Sequence, residues 1–330
     1  MLARLAAVGA AVAMVVAAIF VRGRLDDTGE RSASTLRLVC STEMAPTCAD
    51  LAAADDRLTV TVERAEDTAA RLLGAASDPG FDGWLVAGPW PVFVAEARQR
   101  AGSEALVGTG AVLARSPVVL LVWPDRATVL ASGCGGDIGW SCLGGVAGTR
   151  WSNLGGPVQW GPVKPGHPPV GTAEGLAVVG AATVGFFGRA DVSRADLDDD
   201  GYRRWLARLE RNLGSATASP VETMLLQGPA AFDAVGAIEA VAKPRLDRSA
   251  RPDKPTPIYP SPMATADVVL GTVAGRAGQL LTELLRSRAG RDAFVGHGWA
   301  VAATANPTPS GLPEPGVLDA LRELVGETAR

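Results

Sequence analysis

The side chains that could do chemistry are few, and their spacing narrows what they could do. Two histidines, His167 and His297, occur in 330 residues, so a histidine-centred acid–base or nucleophile system is poorly supplied. There is no G-x-S-x-G nucleophile elbow, no H-E-x-x-H zinc helix and no P-loop. The glycine loop Gly133-Cys134-Gly135-Gly136-Asp137-Ile138-Gly139 lacks the spacing of a dinucleotide fingerprint. The acidic run from Asp196 to Asp200 lacks the spacing of a calcium loop and reads as a solvated turn and helix start. Nothing here predicts a catalytic residue, a metal or a cofactor. The four cysteines form two close pairs, Cys40/Cys48 and Cys134/Cys142, each with seven residues between. An even count in close pairs in an exported chain predicts two local disulfides. Zinc is the rival, against which stand the absence of C-x-x-C and the scarcity of histidine. Reduced core cysteines are the alternative if the chain is not exported.

The remaining chemistry-bearing feature is a loop that runs into a helix, "KPGHPPVGTAEGLAVVGAATVGFFG" at 164–188. Prolines stiffen the approach, and Thr172 and Glu174 stand where a helix cap and first turn belong. The apolar body from Leu176 onward reads as core. The loop is either a plain connection or a rigid frame that aims a helix N-terminus at a bound group.

The elements around it alternate. Strands are predicted at 35–41, 57–65 and 81–88, each followed by a helix: the one after the first strand holds Cys48, the next covers 66–76 and the third begins at a proline. That alternation implies parallel pairing in α/β layers. The apolar, β-branched run 116–123 reads as a fully buried strand. An irregular Gly- and Trp-rich zone follows at 132–163, then the helix at 172–187 and an amphipathic helix at 198–214. Residues 219–242 read as a serine cap, a short helix, a Gly-Pro break and another helix. Residues 243–262 read as a proline-rich crossing. A strand near 266–274, a helical pair over 275–299 and a last helix complete the chain.

Composition sets outer limits. With 47% hydrophobic and 20% charged residues the chain is an ordinary globular protein of one large or two medium domains. A net charge of −4, with no basic patch interleaved with aromatics, argues against a nucleic-acid partner. The N-terminus carries Arg4, an uncharged apolar run from Leu5 to Val21, then Arg22 and Arg24. The run is short for a membrane span and long for a signal-peptide core, and no small-residue cleavage site follows it. Residues 1–24 are therefore read as a signal anchor in preference to a cleaved signal peptide, and 25–34 as a polar tether. This places the chain at the cell membrane on its extracytoplasmic face, or secreted if cleaved.

Five stretches in order carry a family resemblance: "LRLVCSTEMAP", "FDGWLVAGPWPV", "ARSPVVLLVWPDRA", "HPPVGTAEGL" and "YPSPMATADVVL", with "LLTELLRSRAGRDAFVGHGW" near the end. Together they resemble the extracellular solute-binding proteins of the type II periplasmic-binding fold, and within them the actinobacterial branch associated with von Willebrand A-type domains. The resemblance implies an α/β protein of two lobes, each a mixed sheet flanked by helices, with 35–115 plus 262–330 as the first lobe and 116–261, with the crossing segments, as the second. It implies a small polar solute or anion trapped between the lobes, for ABC-type uptake or for sensing, with an ABC permease or a von Willebrand A-type envelope protein as the partner. It places Ser41, Thr42, Gly88, Trp90, Ser116, Thr172, Ala173, Glu174 and Tyr259 at the ligand. Seven have a plainer reading beside it: helix caps for Ser41 and Thr42, a capped helix start for Thr172 with Glu174, packing for Trp90 and Tyr259, and an extended spacer for Ser116 before Pro117. One departure stands out. Relatives usually follow D-x-W with a proline, an acid and serines, whereas this chain reads "LVAGPW". The missing hydroxyls leave open a changed ligand, or an envelope interaction module that keeps the fold without binding a solute.

Overall fold

A computed structural model describes residues 35–75, 77–215, 217–302 and 309–328. The predicted anchor 1–24 and tether 25–34 lie outside the described residues. Among those described, no helix is long and apolar enough to cross a membrane.

The first strands follow from their sequence pattern. β1 (Leu36–Ser41) alternates at its start and then becomes wholly buried. It lies between β2 (Leu58–Glu63) and β3 (Gly83–Ala87), parallel to both. Helices α1 (Ala45–Ala54), α2 (Ala65–Gly74) and α3 (Trp90–Arg100) provide the return connections that parallel strands require. β3 is buried along its length and pairs antiparallel with β8 (Thr265–Thr272).

β4 (Val112–Val122) joins the two lobes. Its first half, to Pro117, pairs with β8, and β9 (Ala300–Val301) lies along the same half. Its second half, from Val118, pairs with β6 (Ala234–Ile238) and β7 (Thr256–Ile258). β6 in turn carries the short parallel β5 (Pro165–Gly166). The partner exchange falls at Pro117, which lacks the N–H that an uninterrupted ladder would use. In the second half both faces are covered. Val118, Leu120 and Val122 join the main core, whereas Val119 and Leu121 join a second cluster with Trp123, Met224 and Phe232. That is why the run reads as continuously apolar. The chain returns between Ile258 and Thr265 to complete a second crossing.

The second lobe contains α4 (Pro124–Gly133), α5 (Trp140–Val146), α6 (Ala173–Phe187), α7 (Asp200–Arg211), α8 (Pro220–Gln227) and α9 (Glu239–Arg248). α10 (Arg276–Arg286), α11 (Arg288–Gly296) and α12 (Pro315–Thr328) follow β8, as the helical pair and last helix predicted. α6 is buried on nearly every side, in keeping with its alanine- and glycine-rich sequence.

Four local expectations are corrected. "AVGAI" is strand β6, not part of a helix. The helix after it continues through Pro244 to Arg248, so the crossing begins later than predicted. The Gly- and Trp-rich zone contains α5, and its aromatics close around Arg126. That side chain bonds Asp233 at 3.0 Å and stacks on Trp160 at 3.4 Å. Ser219 precedes α8 without a side-chain cap bond. Both disulfides are formed as expected, Cys40–Cys48 and Cys134–Cys142, and no described residues form a metal-binding cluster.

Candidate functional site

The loop and helix start at 164–175 are tightly built. Thr172 donates its hydroxyl hydrogen to the Pro169 carbonyl (2.7 Å) and accepts from the Gly175 amide (3.0 Å). The plainer reading of Thr172 as an N-cap is therefore correct. Gly175 is required by close approach. A Cβ there would lie 2.1 Å from the Pro169 carbonyl oxygen and 2.4 Å from that of Pro168. Behind the loop, His167 bonds the Pro168 carbonyl through Nδ1 (2.8 Å) and Glu210 through Nε2 (3.1 Å). A carbonyl and a carboxylate can only accept, so the ring fits as an imidazolium. Burial opposes that charge, but the bond and charge of Glu210 outweigh it and raise the imidazole above its ordinary value. The loop also touches the other lobe, where the Glu66 amide donates to the Gly171 carbonyl at 3.1 Å.

Facing this helix start is the turn after β1. Glu43 is buried there. It accepts from the Ser41 hydroxyl and from the Ala87 amide (3.3 Å) at the end of β3. Burial raises its carboxyl above the usual range, against the pull of the Ser41 bond. Across the gap, Glu174 accepts from the Ile238 amide at 3.1 Å. Burial raises it to about 7, with the Glu43 charge adding to the shift and the Arg245 charge opposing it. Between them lies a cavity of about 170 Å³. Thr42, Glu43 and Arg64 come from one lobe, and Thr172, Glu174 and Arg245 from the other. Both arginines are engaged: Arg64 pairs with Glu66 (2.7 Å) and Asp67 (2.9 Å), and Arg245 with Glu222 (3.0 Å).

Of the nine residues expected at a ligand, Thr42, Thr172 and Glu174 line this cavity. Ser41 lies behind it holding Glu43, and Ala173 is buried in the first turn of α6. Two others, Ser116 and Tyr259, lie away from the cavity at the start of α9, which Glu174 also reaches. Glu174 accepts from Ile238, the Ser116 hydroxyl accepts from Ala240 (2.9 Å), and Tyr259 donates to Glu239. Ser116 is thereby buried and Tyr259 stays exposed. Trp90 is buried edge-to-face against Phe93, in agreement with its packing reading. Gly88 lines a second cavity of about 590 Å³ with Pro89, Asp191, Asp267, Glu314 and Leu318. That cavity is larger, but strand-end loops and helix starts from both lobes converge on the smaller one, the arrangement that α/β folds use for ligands.

The sequence reading missed Glu43, Arg64, Glu222 and Arg245. Glu43 directly follows the predicted hydroxyl pair, so an acid one step beyond "ST" was the available signal. Arg245 lay hidden in the stretch read as a crossing.

No family model matches the sequence, and no curated protein matches it. Solved structures do match in fold. A periplasmic thiamin binding protein aligns over 89% of this chain and 96% of its own, at 11% identity and a TM-score of 0.57. The periplasmic binding protein AfuA from Actinobacillus pleuropneumoniae, with fructose-6-phosphate bound, aligns over 88% and 96%, at 12% identity and 0.56. Apo FutA2 from Synechocystis aligns over 90% and 97%, at 15% identity and 0.52. The fold is thus the two-lobed α/β fold of periplasmic solute-binding proteins.

Proposed function

We propose that this chain is an extracytoplasmic solute-binding protein that traps a small polar solute between its lobes. The observation that carries the reading is the 170 Å³ cavity, whose polar walls come from both lobes: Thr42 and Glu43 on one side, Thr172, Glu174 and Arg245 on the other. The volume is below the roughly 300–1,000 Å³ of drug-sized sites, which favours a solute of a few heavy atoms. Closure around such a ligand needs only the crossings to bend, one at Pro117 in β4 and one between Ile258 and Thr265. In this reading residues 35–115 plus 262–330 move against 116–261. Ser41, Thr42, Thr172, Ala173 and Glu174 form or support the contact surface. The N-terminal 24 residues anchor the chain or direct its export. The role is uptake through an ABC-type permease or sensing, and the branch associated with von Willebrand A-type domains supplies the candidate envelope partner.

A melting screen of the full chain against amines, amino acids, sugars and oxyanions tests this. A ligand at a hundred times its dissociation constant adds about 2.7 kcal/mol, a plainly visible shift. Silence across all classes would remove the reading. It would favour instead an envelope interaction or structural module that keeps the fold without a solute. The direct Glu66–Gly171 backbone bond between lobes and the already satisfied cap of α6 support that second reading.

A further inference from the structure

Resting on the solute-binding reading, we infer that the ligand of the smaller cleft carries a protonated amine, held between Glu43 of one lobe and Glu174 of the other. Arg64 and Arg245 each hold a carboxylate, so neither brings an uncommitted positive charge to an anionic ligand. The α6 N-terminus, the other anion-binding device, has its Gly175 amide taken by Thr172. The carboxyls are in the opposite position. Among the described residues neither Glu43 nor Glu174 is ion-paired; their partners are the Ser41 and Thr42 hydroxyls and the Ala87 and Ile238 amides. Arg64 and Arg245 line the same cavity and the Arg245 charge reaches Glu174, but neither arginine is paired with these two carboxyls. Buried carboxyls with no ion-pair partner of their own either keep protons or receive a cation from outside, because a buried unpaired charge is costly.

An ammonium group suits the space between them. It has three N–H donors, enough to reach both carboxylates and the Thr42 or Thr172 hydroxyl, and it fits a cavity of this size. Binding then exchanges one charge for another: the amine enters and the proton on Glu174 leaves to solvent. The charged groups facing Glu174 are Glu43 at the turn after β1, Arg64 and Glu66 at α2, Glu222 on α8 and Arg245 on α9, with the His167–Glu210 pair behind the loop. Of these, Glu43 is the unpaired carboxyl that would share the ammonium.

The test uses the full chain with ethanolamine, methylammonium and glycine as amine probes, and acetate, phosphate and glycerol as anionic and neutral ones. Amines are expected to raise the melting temperature while acetate, phosphate and glycerol do not. Calorimetry at a pH of about 6, in two buffers of different ionisation enthalpy, should show proton release on amine binding. Glu174→Gln should weaken amine binding at least ~10-fold and abolish that release. If Glu174→Gln does not fold, proton release by the unaltered chain decides: amine binding without release overturns the inference. So does amine binding unchanged in a folded Glu174→Gln. An anion or glycerol that binds while amines are silent also overturns it and leaves the solute-binding reading standing. Silence of all six probes overturns the amine inference, and the broader screen then decides the fate of solute binding itself.

Discussion

Glu174 accepts the Ile238 amide through Oε1 and lines a cavity with Glu43. Its carboxyl is raised to about 7 from an ordinary 4.5, chiefly by burial. Below the unfolded value both states carry the proton and the group costs nothing. As pH climbs from there to about 7 the unfolded chain ionises first, so stability falls, by about 3 kcal/mol once both are ionised. Glu174→Gln keeps an acceptor for Ile238 and removes the charge. The expected result, read by chemical denaturation, is little difference from the unaltered protein below a pH of about 4 and a gain of about 2–3 kcal/mol for the variant near a pH of about 8. Equal curves at both ends would mean that the carboxyl is solvated. His167 acts in the same direction, since its raised imidazole contributes fully below its ordinary value and loses that contribution as pH rises through the folded one. The variant should therefore still soften above neutrality. At this scale sequence reasoning found Thr172 and Glu174 because cap and first-turn chemistry is local. It missed Arg245, and passed over Glu43 beside the hydroxyl pair, because what makes them matter is burial and juxtaposition across lobes.

At the scale of elements, α6 is set by its approach loop. The Pro168 and Pro169 carbonyls come so close that only glycine fits at position 175. Gly175→Ala would ordinarily favour a helix by about 1 kcal/mol. Here the added methyl meets backbone, which cannot swing aside, so the expected outcome is a loss of about 2 kcal/mol or more in denaturation, as for other overpacked sites. The displaced loop should also take Thr172 off its cap and reduce any ligand-induced shift. A neutral or stabilising result would show that the loop yields freely. The same scale explains which elements could be read ahead. β1, β3 and the second half of β4 announced themselves as apolar runs between turn residues. β6 did not, because five wholly buried residues, "AVGAI", running into "EAVA" carry no period that separates strand from helix. The sequence places the end of α9 at Ala242, ahead of Pro244, because proline usually ends a helix. Here the helix continues to Arg248, with its start secured by the Glu174 and Ser116 bonds.

The whole molecule is two lobes sharing β4, and its covalent staples respect that division. Cys40–Cys48 ties the end of β1 to α1, and Cys134–Cys142 ties the end of α4 to α5. Neither bridge crosses the cleft, so neither restrains closure at Pro117 or between Ile258 and Thr265. Each closes a loop with a sequence separation of 8, for which the chain-entropy model gives roughly 2–3 kcal/mol. Sites without shared partners contribute additively to within a few tenths of a kcal/mol. Replacing Cys40 and Cys48 with alanine, Cys134 and Cys142 with alanine, and all four together forms a cycle. Denaturation should give losses of about 2–3 kcal/mol for each pair and about 4–6 kcal/mol for the four. A combined loss well away from the sum would mean that the lobes are coupled through more than the shared strand. The Glu66–Gly171 bond and the buried carboxyl pair across the cleft would then be where that coupling is carried.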